Sequence, residues 1–464
     1  MNSTLPTSGL MTLLLAAGLP AAALAQTANL TVDAAQNVRT VDERVFGVNS
    51  VIWDAEASKP QTISLVQAAG IRTIRVPGGS LSDEYHWRIN KALSNTWTWA
   101  TGFDGFIKLI KGVDAQAFVT VNYGTGTPEE AAGLVAYLNA SVGSSVNIGG
   151  FDGSVDNFAM QNSGYWAALR ASSTPVSPDD GMNFLRISRT NPVGIKYWEI
   201  GNECYGDWET DQQAVQHDPT TYADRAKDYI AKMKAVDPTI KVGVVVVKST
   251  ENASYKNWTP VMLARLKSSN VTPDFVIYHS YPQAPGFESD SGLLQQAGTW
   301  AATAADIRQQ LTTYLGAAGA NVEIVVTENN SVFSSPGKQS TGLVNGLYLA
   351  DSIANVMKSE INAFMWWGLR NGPPTDSNGR ITGNFSSSLY GWRTYGDYGM
   401  LSTTPPPASR RTKPTAASPT APTSSPTSTT TKSTKAAPPA EPPRFFLFLL
   451  EFIRKLTVAR AAQI

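Results

Sequence analysis

Short runs of β-branched and apolar residues alternate with longer segments of helical periodicity across residues 45–367. This alternation is typical of repeated β–α units, in which a parallel sheet is covered by helices. Several of the runs, such as 242–247 and 324–326, are continuously apolar, as is expected of strands buried on both faces. Three segments between the runs have the start signals and composition of helices, at 128–138, 222–236 and 341–358. The chain is therefore predicted to be an α/β protein.

The number of apolar runs distinguishes two α/β architectures. There are eight strand candidates, at residues 46–49, 73–76, 117–122, 195–201, 241–246, 275–279, 323–328 and 363–367. Eight parallel strands close a (β/α)8 barrel, the TIM barrel. A doubly wound open sheet is the alternative, and a glycine-rich phosphate-binding loop after the first strand would favour it. Since the sequence has no such loop at that position, we predict a TIM barrel at 45–401.

Composition divides the remainder of the chain into four segments. Residues 1–25 contain an apolar run and a small-x-small pattern before Gln26, which predicts a signal peptide and a secreted or periplasmic protein. Residues 26–44 form a leading segment with an extra strand. Residues 402–443 are a low-complexity linker rich in Pro, Ser and Thr, so we expect a disordered C-terminal tail. Residues 444–464 form a short apolar and basic tail of unknown role, too short to insert stably into a membrane.

The charge balance restricts the classes of partner. The 37 basic residues equal the 37 acidic ones, so no net field attracts nucleic acid or an anionic membrane. A neutral ligand such as a carbohydrate fits this composition better. The single cysteine, Cys204, excludes an intrachain disulfide, and the core must therefore stabilise the fold. The sequence leaves the oligomeric state open.

Two acidic residues each follow an apolar run where a barrel strand reaches its carboxyl end. Glu203 closes the run at 195–201, and Glu328 closes the run at 324–326. These runs are the fourth and seventh strand candidates, and the carboxyl ends of barrel strands form the face that holds active sites. Hydrolysis of a glycosidic bond with retention requires two carboxyl groups about 5–5.5 Å apart. We therefore predict that Glu203 is the general acid/base and Glu328 the nucleophile.

The residues around these two glutamates resemble a known family. The stretch Gly201-Asn202-Glu203-Cys204-Tyr205-Gly206-Asp207-Trp208 is similar to the acid/base strand of clan A glycosidases, most closely the α-L-arabinofuranosidases of glycoside hydrolase family 51. Further matches follow in the family's order, at 75–79, 85–87, 121–130 and 279–281. The resemblance runs from about residue 30 to 401. It implies a TIM barrel, a retaining mechanism and hydrolysis without a metal or organic cofactor.

The resemblance also implies substrate-binding roles for five side chains. Arg75 would contact the nucleophile and keep it in its charged form. Asn202 would hydrogen-bond the 2-hydroxyl group of the sugar. Tyr281 and His279 would support the nucleophile and the acid/base, and Asn122 would line the same cup.

Two tryptophans end the eighth strand candidate, where an indole ring can stack on a sugar. Side chains alternate along a strand, so only one of Trp366 and Trp367 can face the cup. The sequence does not decide between them, and Trp366 is taken as the substrate-binding candidate.

The sequence departs from the family at two sugar-binding positions. It has Asn49 and Ser50 where an acidic residue usually follows the first strand, and Ser80 where the family usually has asparagine. The low-complexity tail follows directly after Met400, so we expect no C-terminal β-sandwich. The expected activity is that of an α-L-arabinofuranosidase. The alternatives are another clan A retaining hydrolase, of endoglucanase or xylosidase type, or a non-catalytic carbohydrate-binding barrel.

Overall fold

The structure, a computed structural model, describes residues 40–92, 98–371 and 396–401. The predicted signal peptide, the extra strand at 30–39, the linker at 402–443 and the terminal tail lie outside the described residues. Among the described helices, none combines the length and the apolar character needed to cross a membrane.

Eight parallel strands close into a barrel, which confirms the predicted TIM-barrel fold. In chain order the strands of the structure are β1 (Gly47–Asn49), β2 (Thr73–Val76), β3 (Tyr85–His86), β4 (Lys91–Ala92), β5 (Gln116–Val121), β6 (Tyr197–Ile200), β7 (Lys241–Val245), β8 (Phe275–Ser280), β9 (Glu323–Asn329) and β10 (Ile361–Trp366). The short strands β3 and β4 pair with each other outside the barrel. The other eight match the eight predicted runs, and β1 pairs with β10 to close the ring.

Helices follow the barrel strands and cover them on the outside. They are α1 (Pro60–Ala68), α2 (Phe103–Val113), α3 (Pro128–Asn139), α4 (Ser163–Ala171), α5 (Pro219–Val236), α6 (Trp258–Ser268), α7 (Asp290–Gln296), α8 (Trp300–Leu315) and α9 (Leu343–Val356). The start of α3 shows how local sequence sets these boundaries. Pro128 occupies its first turn, and the Thr127 side chain accepts a hydrogen bond from the backbone N–H of Glu130.

The amino-terminal end of the barrel is filled by aromatic side chains. The rings of Phe118 and Tyr197 stack with their centroids 4.5 Å apart, and Phe275 meets Phe118 edge-on at 5.5 Å. Gly243 on β7 makes room for this cluster, since a Cβ atom there would lie 2.2 Å from the ring of Phe275. The guanidinium of Arg44 lies 4.8 Å from the centroid of the Tyr197 ring. The described residues therefore pack this end closed, and the opposite rim is the face on which a site is expected.

Two insertions extend the carboxyl-terminal rim. The β3–β4 hairpin follows β2, and the segment around α4 lies between α3 and β6. Arg88 of the first insertion donates to a carboxylate oxygen of Asp152 in the second at 2.8 Å. Both side chains are buried, so this ion pair holds the two insertions against each other. Thr127, at the rim end of α3, donates to the carbonyl of Phe151 at 2.6 Å and anchors the second insertion there.

The described residues 396–401 lie beside the chain that leaves β10. The N–H of Met400 donates to the carbonyl of Gly368 at 3.0 Å, and that of Leu401 donates to Leu369 at 2.9 Å. Tyr398 donates its hydroxyl to the carbonyl of Val332, in the loop after β9. These bonds hold the rim end of β10 in place.

Candidate active site

The two glutamates predicted from the sequence both lie at the carboxyl-terminal rim. Glu328 is the penultimate residue of β9, and Glu203 lies three residues beyond the end of β6. Between β6 and Glu203 the backbone turns sharply, with φ +71° at Gly201 and φ +41° at Glu203. Glycine adopts such a φ without steric cost, whereas glutamate does so with strain. This turn directs the Glu203 side chain into the barrel mouth.

One imidazole contacts both carboxylates. Nδ1 of His279, on β8, lies 2.9 Å from Oε1 of Glu203 and 3.8 Å from Oε2 of Glu328. These two oxygens are therefore no further apart than the sum of 2.9 and 3.8 Å, which is 6.7 Å. On its other side, Nε2 of His279 lies 3.0 Å from the hydroxyl of Thr327. Because Nδ1 faces two carboxylates, we assign its proton to Nδ1 and the acceptor role to Nε2.

Glu328 receives hydrogen bonds from two groups other than His279, whose nitrogen is too distant to donate one. The guanidinium of Arg75 donates to Oε1 at 2.6 Å, and the hydroxyl of Tyr281 donates to Oε2 at 2.5 Å. The carboxylate is only 5% exposed, so these donors replace the water that would otherwise solvate its charge. Burial raises the pKa of the Tyr281 phenol well above its usual value, so the phenol keeps its proton. Tyr281 is therefore neutral at neutral pH and donates a hydrogen bond to Glu328.

Arg75 connects four strands of the barrel. It is fully buried, and it donates to Glu199 of β6 at 2.7 Å as well as to Glu328 of β9. It also donates to Oδ1 of Asn49 at 3.1 Å and to Oδ1 of Asn202 at 2.9 Å. One guanidinium on β2 thus fixes side chains from β1, β6 and β9 relative to each other.

Glu203 is held by three donors. It accepts hydrogen bonds from Nε1 of Trp208 at 2.9 Å and from the hydroxyl of Tyr205 at 3.2 Å, in addition to His279. Burial raises the pKa of the Glu203 carboxyl, but the bonds from His279, Trp208 and Tyr205 outweigh burial and lower that pKa below its usual value. These surroundings therefore favour the ionised form of Glu203.

Two other predicted site residues, Asn122 and Trp366, have contacts that differ from those expected. Asn122 lies at the end of β5, but Thr125 engages both atoms of its amide, at 2.8 and 3.0 Å. Its visible role is thus to hold the loop after β5.

The structure corrects the choice of Trp366 as the substrate-binding tryptophan. Its indole is 2% exposed and lies 6.4 Å from the ring of Tyr348 on α9, in the helical layer. Alternation along β10 then directs the next residue, Trp367, to the rim.

Trp367 contacts the double glycine that follows β2. A Cβ atom on Gly79 would lie 2.5 Å from the Trp367 ring, and one on Gly78 would lie 2.8 Å from it. Gly79 also has φ +75°, a conformation that other residues rarely adopt. Trp53, in the loop after β1, meets Trp367 edge-on with ring centroids 6.4 Å apart. Trp53, Trp367 and the double glycine therefore pack against one another at the rim.

The sequence is similar to those of known arabinofuranosidases. No protein-family model matches the sequence. An intracellular exo-α-(1→5)-L-arabinofuranosidase of Halalkalibacterium halodurans is 25% identical over 286 residues, which is 55% of this chain and 48% of that protein. A probable α-L-arabinofuranosidase C of Aspergillus clavatus is 25% identical over 210 residues, 43% of this chain and 34% of the relative. The chain thus spans half or less of the length of these relatives.

Solved structures show the same architecture. The α-L-arabinofuranosidase of Thermotoga maritima, in an arabinose complex, has a TM-score of 0.54 and 20% identity over 73% of this chain and 68% of that one. The family 51 enzyme of Thermotoga petrophila gives 0.55 and 20%, over 73% and 67%. The chain resembles α-L-arabinofuranosidases. The resemblance drawn from the sequence motifs is therefore confirmed, in sequence and in fold.

Several residues of this site were not singled out from the sequence. Asp83 is fully buried and accepts the backbone N–H groups of Asn202 at 2.9 Å and of Tyr123 at 3.2 Å. Burial raises the pKa of Asp83 to about 7. Two further buried carboxyl groups belong to the site. Glu199 accepts a hydrogen bond from Arg75, and Glu209 accepts one from Asn202. A charged residue inside an apolar strand run, as at Glu199, is the signal that would have indicated the first of them.

Proposed function

We propose that this chain is a retaining glycoside hydrolase that releases terminal α-L-arabinofuranosyl residues from arabinose-containing polysaccharides or oligosaccharides. The observation that carries the proposal is the contact of one His279 nitrogen with both Glu203 and Glu328. It limits the distance between the two contacted oxygens to a range compatible with double displacement, in which the carboxyl groups are about 5–5.5 Å apart. The similarity to arabinofuranosidases supports the choice of sugar.

In this proposal Glu328 is the nucleophile. Its oxygen attacks the anomeric carbon and forms a covalent glycosyl-enzyme, while the bond to the leaving oxygen breaks. Arg75 and Tyr281 support the assignment, since both donate to the Glu328 carboxylate and hold it in a single orientation. An ionised, oriented carboxylate is the form that can attack.

Glu203 is the proposed general acid and then the general base. In the first step it transfers a proton to the leaving oxygen, and in the second it removes a proton from the attacking water. The lowered pKa of Glu203 suits the second role directly, because the base must be ionised. For the first role the proton has to be taken up from solvent, so the first step is favoured at acidic pH.

A panel of aryl glycosides tests the sugar and the reaction together. We expect turnover of the α-L-arabinofuranoside and much slower turnover of the β-xyloside and β-glucoside with the same leaving group. The altered residues at 49, 50 and 80, and the insertions at 82–101 and 140–180, favour the alternative of an endoglucanase or xylosidase type. Preferred hydrolysis of the xyloside, or of a β-glucan polymer, would select that alternative. Sugar binding without hydrolysis would select a non-catalytic barrel.

Replacing His279 with alanine is expected to move the alkaline limb of the pH–rate profile to higher pH. His279 gives the largest contribution that lowers the pKa of Glu203, so its removal raises that pKa. The general acid then keeps its proton to higher pH, and kcat/KM falls later as pH increases. The measurement is kcat/KM against pH on the aryl arabinofuranoside. Trp208→Phe removes a weaker donor to the same carboxyl and should shift the limb less. A shift to lower pH in either variant contradicts the prediction.

A further inference from the structure

Glu209 is a buried carboxyl group that the mechanism above does not use. It lies in the loop after β6 and is only 4% exposed. Its Oε1 atom accepts a hydrogen bond from Nδ2 of Asn202 at 2.9 Å and another from the hydroxyl of Ser80 at 2.9 Å. Its Oε2 atom is buried and has no hydrogen-bond partner in the part of the chain that the structure describes. Burial of a carboxyl group costs free energy, so a group kept in this position calls for an explanation.

The contacts of Asn202 indicate what Glu209 does. The Arg75 guanidinium only donates hydrogen bonds, so Asn202 must turn its oxygen toward Arg75, at 2.9 Å. The amide nitrogen of Asn202 then faces Glu209, which accepts one of its two N–H groups. Because an amide is planar, these two contacts fix the direction of the second N–H. That second N–H is the donor available to a ligand.

Glu209 is suited to accept this bond without adding charge beside the two reacting carboxylates. Burial raises the pKa of Glu209 well above its usual value, and the nearby charges of Asp83 and Glu203 raise it further. These surroundings favour the neutral acid form of Glu209, in which Oε1 accepts the two hydrogen bonds. A glutamine side chain has the same shape, is also neutral and accepts in the same way, which makes it the matched replacement.

We propose that Glu209 is a positioning residue that directs the second N–H of Asn202 toward the 2-hydroxyl group of the substrate. This inference rests on the proposed function, in which Asn202 binds that hydroxyl. Hydrogen bonds to the 2-hydroxyl strengthen in the transition state of glycoside hydrolysis, so a misdirected amide lowers kcat more than it raises KM. Glu209 acts through Asn202 and does not touch the substrate.

The test compares an aryl α-L-arabinofuranoside with its 2-deoxy analogue, which has the same leaving group but lacks the hydroxyl. On the parent substrate, Glu209→Ala should lower kcat/KM by about 10-fold to 100-fold, the loss expected when a buried hydrogen-bond partner is removed. On the 2-deoxy substrate the variant and the wild type should differ by less than about 2-fold, since no contact remains to be lost. Glu209→Gln should keep most of the wild-type activity on both substrates.

Two further variants keep the test decisive. Asn202→Ala should show the same selective loss, and the double variant with Glu209→Ala should be no worse than Asn202→Ala alone. Ser80→Ala removes the second bond to the same Glu209 oxygen and should give a smaller loss confined to the parent substrate, and it decides the question if Glu209→Ala does not fold. Equal losses on both substrates, or failure of glutamine to restore activity, overturn the inference. Absence of wild-type turnover on the parent substrate overturns the proposed function itself, and with it this inference.

Discussion

Glu328→Ala is expected to lower kcat/KM on an aryl α-L-arabinofuranoside by about 10⁴-fold or more, the order of loss seen when the nucleophile of a covalent mechanism is removed. Alanine leaves no atom to form the glycosyl-enzyme, and it also leaves Arg75 and Tyr281 without their shared acceptor. The measurement is the steady-state rate at saturating and at low substrate. A variant as active as the wild type would contradict the assignment of the nucleophile.

A small external anion provides the confirming experiment for this variant. The space left by the missing carboxylate admits azide, which can attack the anomeric carbon in place of Glu328. We expect azide to restore turnover and to give the arabinofuranosyl azide of inverted configuration, because only one displacement then occurs. Glu360→Ala is the matched control, since Glu360 is an exposed glutamate that pairs with Arg308 and directly precedes β10, at the barrel end opposite the rim. That variant should retain wild-type activity, and azide should not change it.

Arg75→Met is expected to cause the largest loss of stability, about 3–5 kcal/mol in the free energy of unfolding, as found when one partner of a buried ion pair is removed. Arg75 and Glu199 are both fully buried, and no other cation among the described residues contacts Glu199. The charge of Glu199 would thus remain in the barrel interior without compensation. The measurement is urea unfolding, with the midpoint and the slope compared with those of the wild type.

A second substitution separates charge from packing in this experiment. Glu199→Gln in the Arg75→Met background removes the uncompensated charge, so we expect it to recover part of the lost stability but none of the activity. The exposed Arg265, which pairs with Asp224 at 2.7 Å, serves as the control, and Arg265→Met should leave stability essentially unchanged. Equal effects of Arg75→Met and Arg265→Met would show that the buried network does not contribute as described.

The barrel could be predicted because its strands are runs of mainly apolar and β-branched residues, and each predicted run matches a strand of the structure. The two glutamates could be predicted for the same reason, since the rim position follows once a strand end is known. The choice between Trp366 and Trp367 could not be predicted, because the two neighbouring residues are identical and the strand pattern does not show which of them faces the barrel mouth. Only the three-dimensional position of Tyr348 on α9 and of Gly79 after β2 separates the two indoles.

The protonation of Glu203 and the role of Glu209 depend on contacts between distant parts of the chain. His279 lies on β8 and Trp208 in the loop after β6, and their joint effect on the Glu203 carboxyl exceeds that of burial. Sequence indicates burial more readily than it indicates such donors. For Glu209, the sequence gives an acidic residue in a polar loop, and its burial beside Asn202 appears only in the folded chain.

The left-handed backbone at Glu203 has a consequence for how this protein can evolve or be engineered. A glutamate with φ +41° stores conformational strain, on the order of 1–3 kcal/mol for residues held in such regions. Glycine or asparagine would relax that strain at the same position while removing the proposed acid/base. Selection for thermal resistance alone would therefore favour loss of function here, and a stabilised but inert barrel is the outcome to expect from a screen that scores folding without turnover.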